Sequence, residues 1–173
     1  MRFKFLSVLA AVALIAACET APESSGNAQS SGATASTSSG SGAPMAKVEI
    51  PAGSQEDLVV NVGDRVFFAF DSSDLSAEAR ASLEKQAAWL KKFGGVRVVI
   101  EGHCDERGTR EYNLALGERR ANASKDYLVA LGINPARIKT ISYGKERPAA
   151  LGHNETAWAQ NRRGVTVVDS TGS

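Results

Sequence analysis

The densest run of side chains able to do chemistry is Glu101-Gly102-His103-Cys104-Asp105-Glu106-Arg107-Gly108-Thr109. It follows the apolar stretch Val96 to Ile100 and precedes a helical pattern, and in α/β sheets ligands gather at the carboxyl ends of strands. A metal site would draw on Glu101, His103, Cys104 and Asp105. However, adjacent strand residues point to opposite faces, His153 is the only other histidine, and no Cys-x-x-Cys or His-x-x-x-His spacing completes a closed set. No metal is expected. A cysteine hydrolase would use Cys104 as nucleophile and His103 or His153 as base. Neighbours in sequence rarely reach that geometry, and no third orienting group is evident. Cys104 is instead expected to be a small, partly buried apolar side chain, and His103 a hydrogen-bonded structural imidazole.

The remaining chemistry is binding without turnover. Asn113, Leu116 and Arg120 are spaced by three, four and seven residues, which returns them to one helix face, and Asp105 lies on the loop just before it. A carboxylate and a guanidinium placed together match a zwitterionic amino acid: Asp105 accepts from its ammonium and Arg120 grips its carboxylate. The same pair can equally form an internal salt bridge that pins loop to helix, and spacing alone leaves both open. Arg162 and Arg163 are expected to be surface charges near a helix C-terminus, outside any site.

The elements that must hold these residues follow from periodicity and punctuation. Val66 to Phe70 is a continuous β-branched and aromatic run, expected to be a strand covered on both faces. After the turn-rich Asp71-Ser72-Ser73-Asp74, Ser76 is placed to cap a helix to about Lys92, with Ala79, Leu83, Ala87 and Leu90 as its apolar stripe and Gly94-Gly95 as its stop. A second strand around Val96, Val98 and Ile100 is expected to break at Gly102. A second helix is predicted from near Asn113 to about Leu131, ended by Gly132, with Pro135 opening a short turn. Ile138–Tyr143 reads as a strand, Glu155–Arg163 as a short helix and Val165–Val168 as a last strand. This β-α-β-α-β-β order predicts an α/β (α+β) sandwich, two helices on one face of a small mixed sheet, with the strand order left open.

The chain has 173 residues, 20 basic and 19 acidic. This near balance excludes the basic footprint of a nucleic-acid-binding surface. Arg2, Lys4 and the apolar run Phe5 to Ala17 form a signal-peptide pattern, too short to span a bilayer. Residues 1–17 are therefore expected to be removed. Leu14-Ile15-Ala16-Ala17-Cys18 resembles the bacterial lipobox, which implies a lipidated Cys18 as mature N-terminus, its covalent acyl and diacylglycerol groups replacing any cofactor. Three acyl chains hold far more firmly than one. Residues 18–60 are expected to form a tether, because the Ser-, Gly- and Ala-rich run from Ser24 to Pro44 cannot bury enough apolar surface to offset its ordering entropy. One domain, 61–169, and a tail, 170–173, complete the chain.

Taken together, F-D-S-S-D-L (70–75), E-G-H-C-D-E-R-G-T-R-E-Y-N (101–113), L-G-E-R-R-A (116–121), S-Y-G-K-E-R-P (142–148) and N-R-R (161–163) resemble the OmpA-like peptidoglycan-binding domain family, over about residues 62 to 168. Within the family the match is close to lipid-anchored members. The resemblance implies a non-enzymatic protein in the outer membrane, its domain facing the periplasm and holding the diaminopimelate of a peptidoglycan stem. It implies Asp105 and Arg120 as the gripping pair, Phe70, Asp71 and Leu116 as lining or backbone contacts, and Asn113 as a shaping residue. It also implies TolB and TolA as partners, and support of envelope integrity and cell division. Cys104 stands where the family often has Thr or Ala. Two alternatives remain: a cell-wall-active hydrolase using Cys104 and His103, and a lipoprotein that binds proteins but not the wall.

Overall fold

The computed structural model describes residues 49–170; the expected signal peptide, Cys18 and tether residues 18–48 lie outside the described residues. The described chain runs α1 (Gln55–Asp57), continued by a π-helical turn (Leu58–Val62), then β1 (Arg65–Phe67), α2 (Ala77–Lys92), β2 (Val98–His103), α3 (Arg110–Ala130), a 3-10 turn (Pro135–Arg137), β3 (Ile138–Gly144), α4 (Glu155–Asn161) and β4 (Arg163–Val168). The sheet order is β1-β4-β2-β3. The neighbours β2 and β3 are parallel, as a helical crossover through α3 requires, while β4 runs antiparallel to both β1 and β2. The mixed sheet carrying helices is the expected α+β sandwich.

Local chemistry sets the helix starts. The Ser76 hydroxyl accepts from the Ala79 N–H, Thr109 from Tyr112, and Asn154 from Ala157, each satisfying a donor that the first turn leaves orphaned. Leu83, Ala87 and Leu90 of α2 and Ala121 and Leu128 of α3 form the core with Val66, Phe68, Val98 and Ile100. Gln86 is buried with them and satisfied: its amide donates to Gly63 O at 2.9 Å and accepts from Thr166 Oγ1 at 2.8 Å.

Five expectations change. The run Val66 to Phe70 is not a strand covered on both faces: β1 is three residues long, lies at the sheet edge and exposes Phe67. After Phe67 the chain leaves the sheet as a loop, so its apolar composition misled. Strand β2 does not break at Gly102 but continues to His103, with only its register against β3 shifting there. Glycine is needed at that point because a Cβ on Gly102 would lie 1.8 Å from the Gly117 carbonyl oxygen. Helix α3 starts three residues before Asn113, because Thr109 supplies the cap. Arg162 and Arg163 are not helical; α4 ends at Asn161 and Arg163 opens β4. Finally, part of the expected tether belongs to the fold: α1 lies within it and Leu58 is fully buried in the core.

Candidate ligand-binding site

The close approach of Gly102 and Gly117 draws α3 onto the carboxyl end of β2. Three residues further along α3, Arg120 is thereby aimed under the loops that follow β1 and β2. Its side chain is 1% exposed. Nε donates to Ser72 O at 2.8 Å, Nη1 to His103 O at 2.9 Å and Nη2 to Ala69 O at 3.0 Å. One guanidinium thus ties the 69–72 loop and the end of β2 to the helix. Burial lowers its pKa, with the nearby Cys104 and Asp105 opposing that shift.

Asn113 sits two turns earlier on α3 and is also buried. Its amide donates to Arg107 O at 2.7 Å and Thr109 O at 3.0 Å, fixing the loop in which Gly108 takes a φ of 91°. Opposite, Asp71 adopts a left-handed backbone, φ 53°, a conformation that aspartate tolerates better than most residues, and its carboxylate accepts from the Tyr112 hydroxyl. Phe70 is 60% exposed at the rim. These residues, with Leu116 and Asp105, line one cleft of about 450 Å³ including its open mouth. All six expected site residues, Phe70, Asp71, Asp105, Asn113, Leu116 and Arg120, meet there, and Cys104, Arg107, Gly108 and Tyr112 complete the wall.

The internal pair between Asp105 and Arg120 does not form. Asp105 is buried, and its ion-pair partners among the described residues are Arg107, at 2.6 Å, and Arg162, at 3.4 Å. Burial opposes its ionisation, yet the hydrogen bonds from Arg107 prevail and hold the carboxyl below the usual carboxylate range. Arg162 corrects the expectation of a surface charge, being 6% exposed. Its Nε donates to Phe68 O at 3.0 Å and its Nη2 to Glu155 at 2.6 Å. Arg163 is buried too, donating to Asn161 O and Arg147 O. A lone NRR triplet carries no sign of this burial; the partners come from elements up to 94 residues away in sequence.

The groups required for cysteine hydrolysis are not brought together. The Cys104 thiol donates to Asn113 O at 3.3 Å, and burial pushes its pKa up rather than activating it. His103 Nε2 lies 3.3 Å from Glu101 and its ring stacks on Tyr143, while Nδ1 is buried without a partner. His103 is the expected hydrogen-bonded structural imidazole, bonded through Nε2 alone. Burial, reinforced by Arg163 and Arg147, lowers its pKa to about 4, so the ring is neutral near pH 7. His153 is exposed and paired with Glu106. Among the described residues no three His, Cys, Asp or Glu side chains are grouped to hold a metal ion.

The OmpA family model matches residues 67–162. The chain belongs to the OmpA family. Among curated relatives of this OmpA-family chain, the peptidoglycan-associated lipoprotein of Rhizobium meliloti is 57% identical over 121 residues, 70% of this chain and 69% of that one. The peptidoglycan-associated lipoprotein of Pseudomonas aeruginosa is 43% identical over 160 residues, 92% of this chain and 93% of that one. Of solved structures, the peptidoglycan-associated lipoprotein of Burkholderia pseudomallei superposes with a TM-score of 0.60 at 45% identity, over 61% of this chain and 90% of that one. The C-terminal domain of Helicobacter pylori MotB, at 21% identity and a TM-score of 0.58 over 63% of this chain and 86% of that one, shares the fold.

Proposed function

We propose that this OmpA-family chain is an outer-membrane lipoprotein that binds peptidoglycan non-covalently, holding the free amino-acid end of a diaminopimelate side chain. The observation that carries the reading is the placement of an ionised Asp105 and a buried Arg120 in one cleft, without a direct bond between them. Three of the five guanidinium N–H groups serve backbone carbonyls, leaving up to two for a ligand carboxylate. Asp105 accepts the ligand ammonium, Leu116 and Phe70 cover its methylenes, and Asp71 offers backbone contact. Asn113 holds the loop that forms the wall.

The role is binding rather than turnover, and the names of the relatives support it. Lipidation of Cys18 would fix the protein to the bilayer, and the tether would let the domain reach the wall: for about 40 residues a random coil spans roughly 35 Å. TolB and TolA are the partners proposed in the same reading, which places the protein in envelope integrity and cell division.

Titration calorimetry with a muramyl tripeptide ending in meso-diaminopimelate tests the site. Two or three charge-assisted bonds at ~1.5–3 kcal/mol each predict micromolar affinity, about −8 kcal/mol, with Asp105→Asn weakening it at least about tenfold, which is 1.4 kcal/mol. No heat with the unmodified protein, together with no retention on isolated sacculi, would sink the wall-binding reading.

A further inference from the structure

Asp105 is fully engaged before any ligand arrives. Its Oδ1 accepts from the Arg107 backbone N–H at 3.1 Å and from Arg107 Nε at 3.2 Å. Its Oδ2 accepts from Arg107 Nη2 at 2.6 Å and Arg162 Nη1 at 3.4 Å. A carboxylate offers about four lone-pair directions, so an incoming ammonium must evict one of these donors. Arg162 is poorly suited to leave, because it is buried and also held by Phe68 O and Glu155. The Arg107 side chain is 31% exposed and can move into solvent. Its guanidinium is seated between two rings, 4.0 Å from the Phe70 centroid and 4.2 Å from that of Trp158.

We infer that Arg107 is a resident cation standing in for the ligand ammonium, and that binding proceeds by its displacement from Asp105. The inference rests on the reading of Asp105 as the ammonium acceptor. Arriving ammonium takes over the oxygen directions that Nε and Nη2 give up, while the Arg107 backbone N–H and Arg162 stay in place. Charge on Asp105 is therefore compensated in both states, and a ligand whose amine has been acylated has no cation to offer in exchange. Specificity for a free amino group follows from this exchange. The same step withdraws the guanidinium from Phe70 and Trp158, so that occupancy of the cleft is felt on α4, where Glu155 also lies 3.9 Å from Arg107. The contacts of Arg107 with Asp105, Phe70 and Trp158 oppose binding, which makes affinity lower than the cleft alone would give.

The test uses the full chain, unmodified and as Arg107→Gln, titrated with the same muramyl tripeptide. Arg107→Gln removes the competing charge and is expected to bind about tenfold tighter, the factor equivalent to 1.4 kcal/mol. In the unmodified protein, the side-chain Nε–H resonance of Arg107, displaced by the two flanking rings, is expected to move at saturation to the position of a solvated arginine. Unchanged or weaker binding by Arg107→Gln, or a resonance that stays in place at saturation, overturns the inference while leaving the wall-binding reading intact. Absence of binding by both proteins removes that reading and the inference with it.

Discussion

Replacing Arg120 by alanine will remove stability as well as any ligand contact, and the structure sets the scale. The side chain is buried and bonds three carbonyls, Ala69 O, Ser72 O and His103 O, at 2.8 to 3.0 Å. Hydrogen bonds from a charged group contribute ~1.5–3 kcal/mol each. Against them stands the desolvation of a buried guanidinium, visible in its lowered pKa. Removing one member of such a buried polar arrangement costs about 3–5 kcal/mol net, out of the ~5–15 kcal/mol that holds a typical domain. With a urea dependence of about 2 kcal/mol per molar, Arg120→Ala should lower the unfolding midpoint by roughly 1.5–2.5 M. Arg120→Lys should fall between the two, because one ammonium on a flexible stem cannot reach three carbonyls spread around a planar fork. Equilibrium urea unfolding followed by circular dichroism measures both. A midpoint shift below about 0.5 M for Arg120→Ala would show that these bonds do not hold the loops to the helix. It follows that loss of binding in an Arg120 variant is informative only where folding has been verified.

Two further outcomes are expected. Gly102→Ala should fail to reach the native fold or lose more than about 4 kcal/mol, since its Cβ would overlap backbone at 1.8 Å rather than a side chain that can rotate away; a variant with an unchanged melting temperature would contradict the packing described. His103 has a folded-state pKa near 4, below its ordinary 6.5, so the folded state binds fewer protons than the unfolded state between those values. Stability should then be undiminished by this residue above about pH 6.5 and fall as pH drops toward 4, by at most about 3 kcal/mol. Comparing urea midpoints at pH 7 and 4.5 should show a smaller drop in His103→Gln than in the unmodified protein, and equal drops would refute the assignment.

Much of the site was legible because its residues are close along the chain. Asp105 on the loop and Asn113, Leu116 and Arg120 on the following helix form a local unit: a loop length and a helical period place them together. Phe70 and Asp71 came only through resemblance, since no periodicity links residue 70 to residue 105. The role of Arg107 in engaging Asp105 was not visible, because a charged loop residue reads as solvated until two rings are seen on either side of it. Arg162 shows the same limit more strongly, because its burial depends on Phe68, Asp105 and Glu155 converging from separate elements.

The amino-acid sequence by itself determined α2 with its Ser76 cap, the approximate course of α3, and the local unit of Asp105, Asn113, Leu116 and Arg120, since each depends on interactions within a few residues. Strand order, the edge position of β1 and the partner of each buried charge were decided only by tertiary structure. A buried charge is stabilised by whatever donors or acceptors packing brings within about 3 Å, and that neighbourhood is set by the whole sheet. Asp105 and Arg120 face one cleft but bond to different partners, and no spacing rule distinguishes that arrangement from a salt bridge.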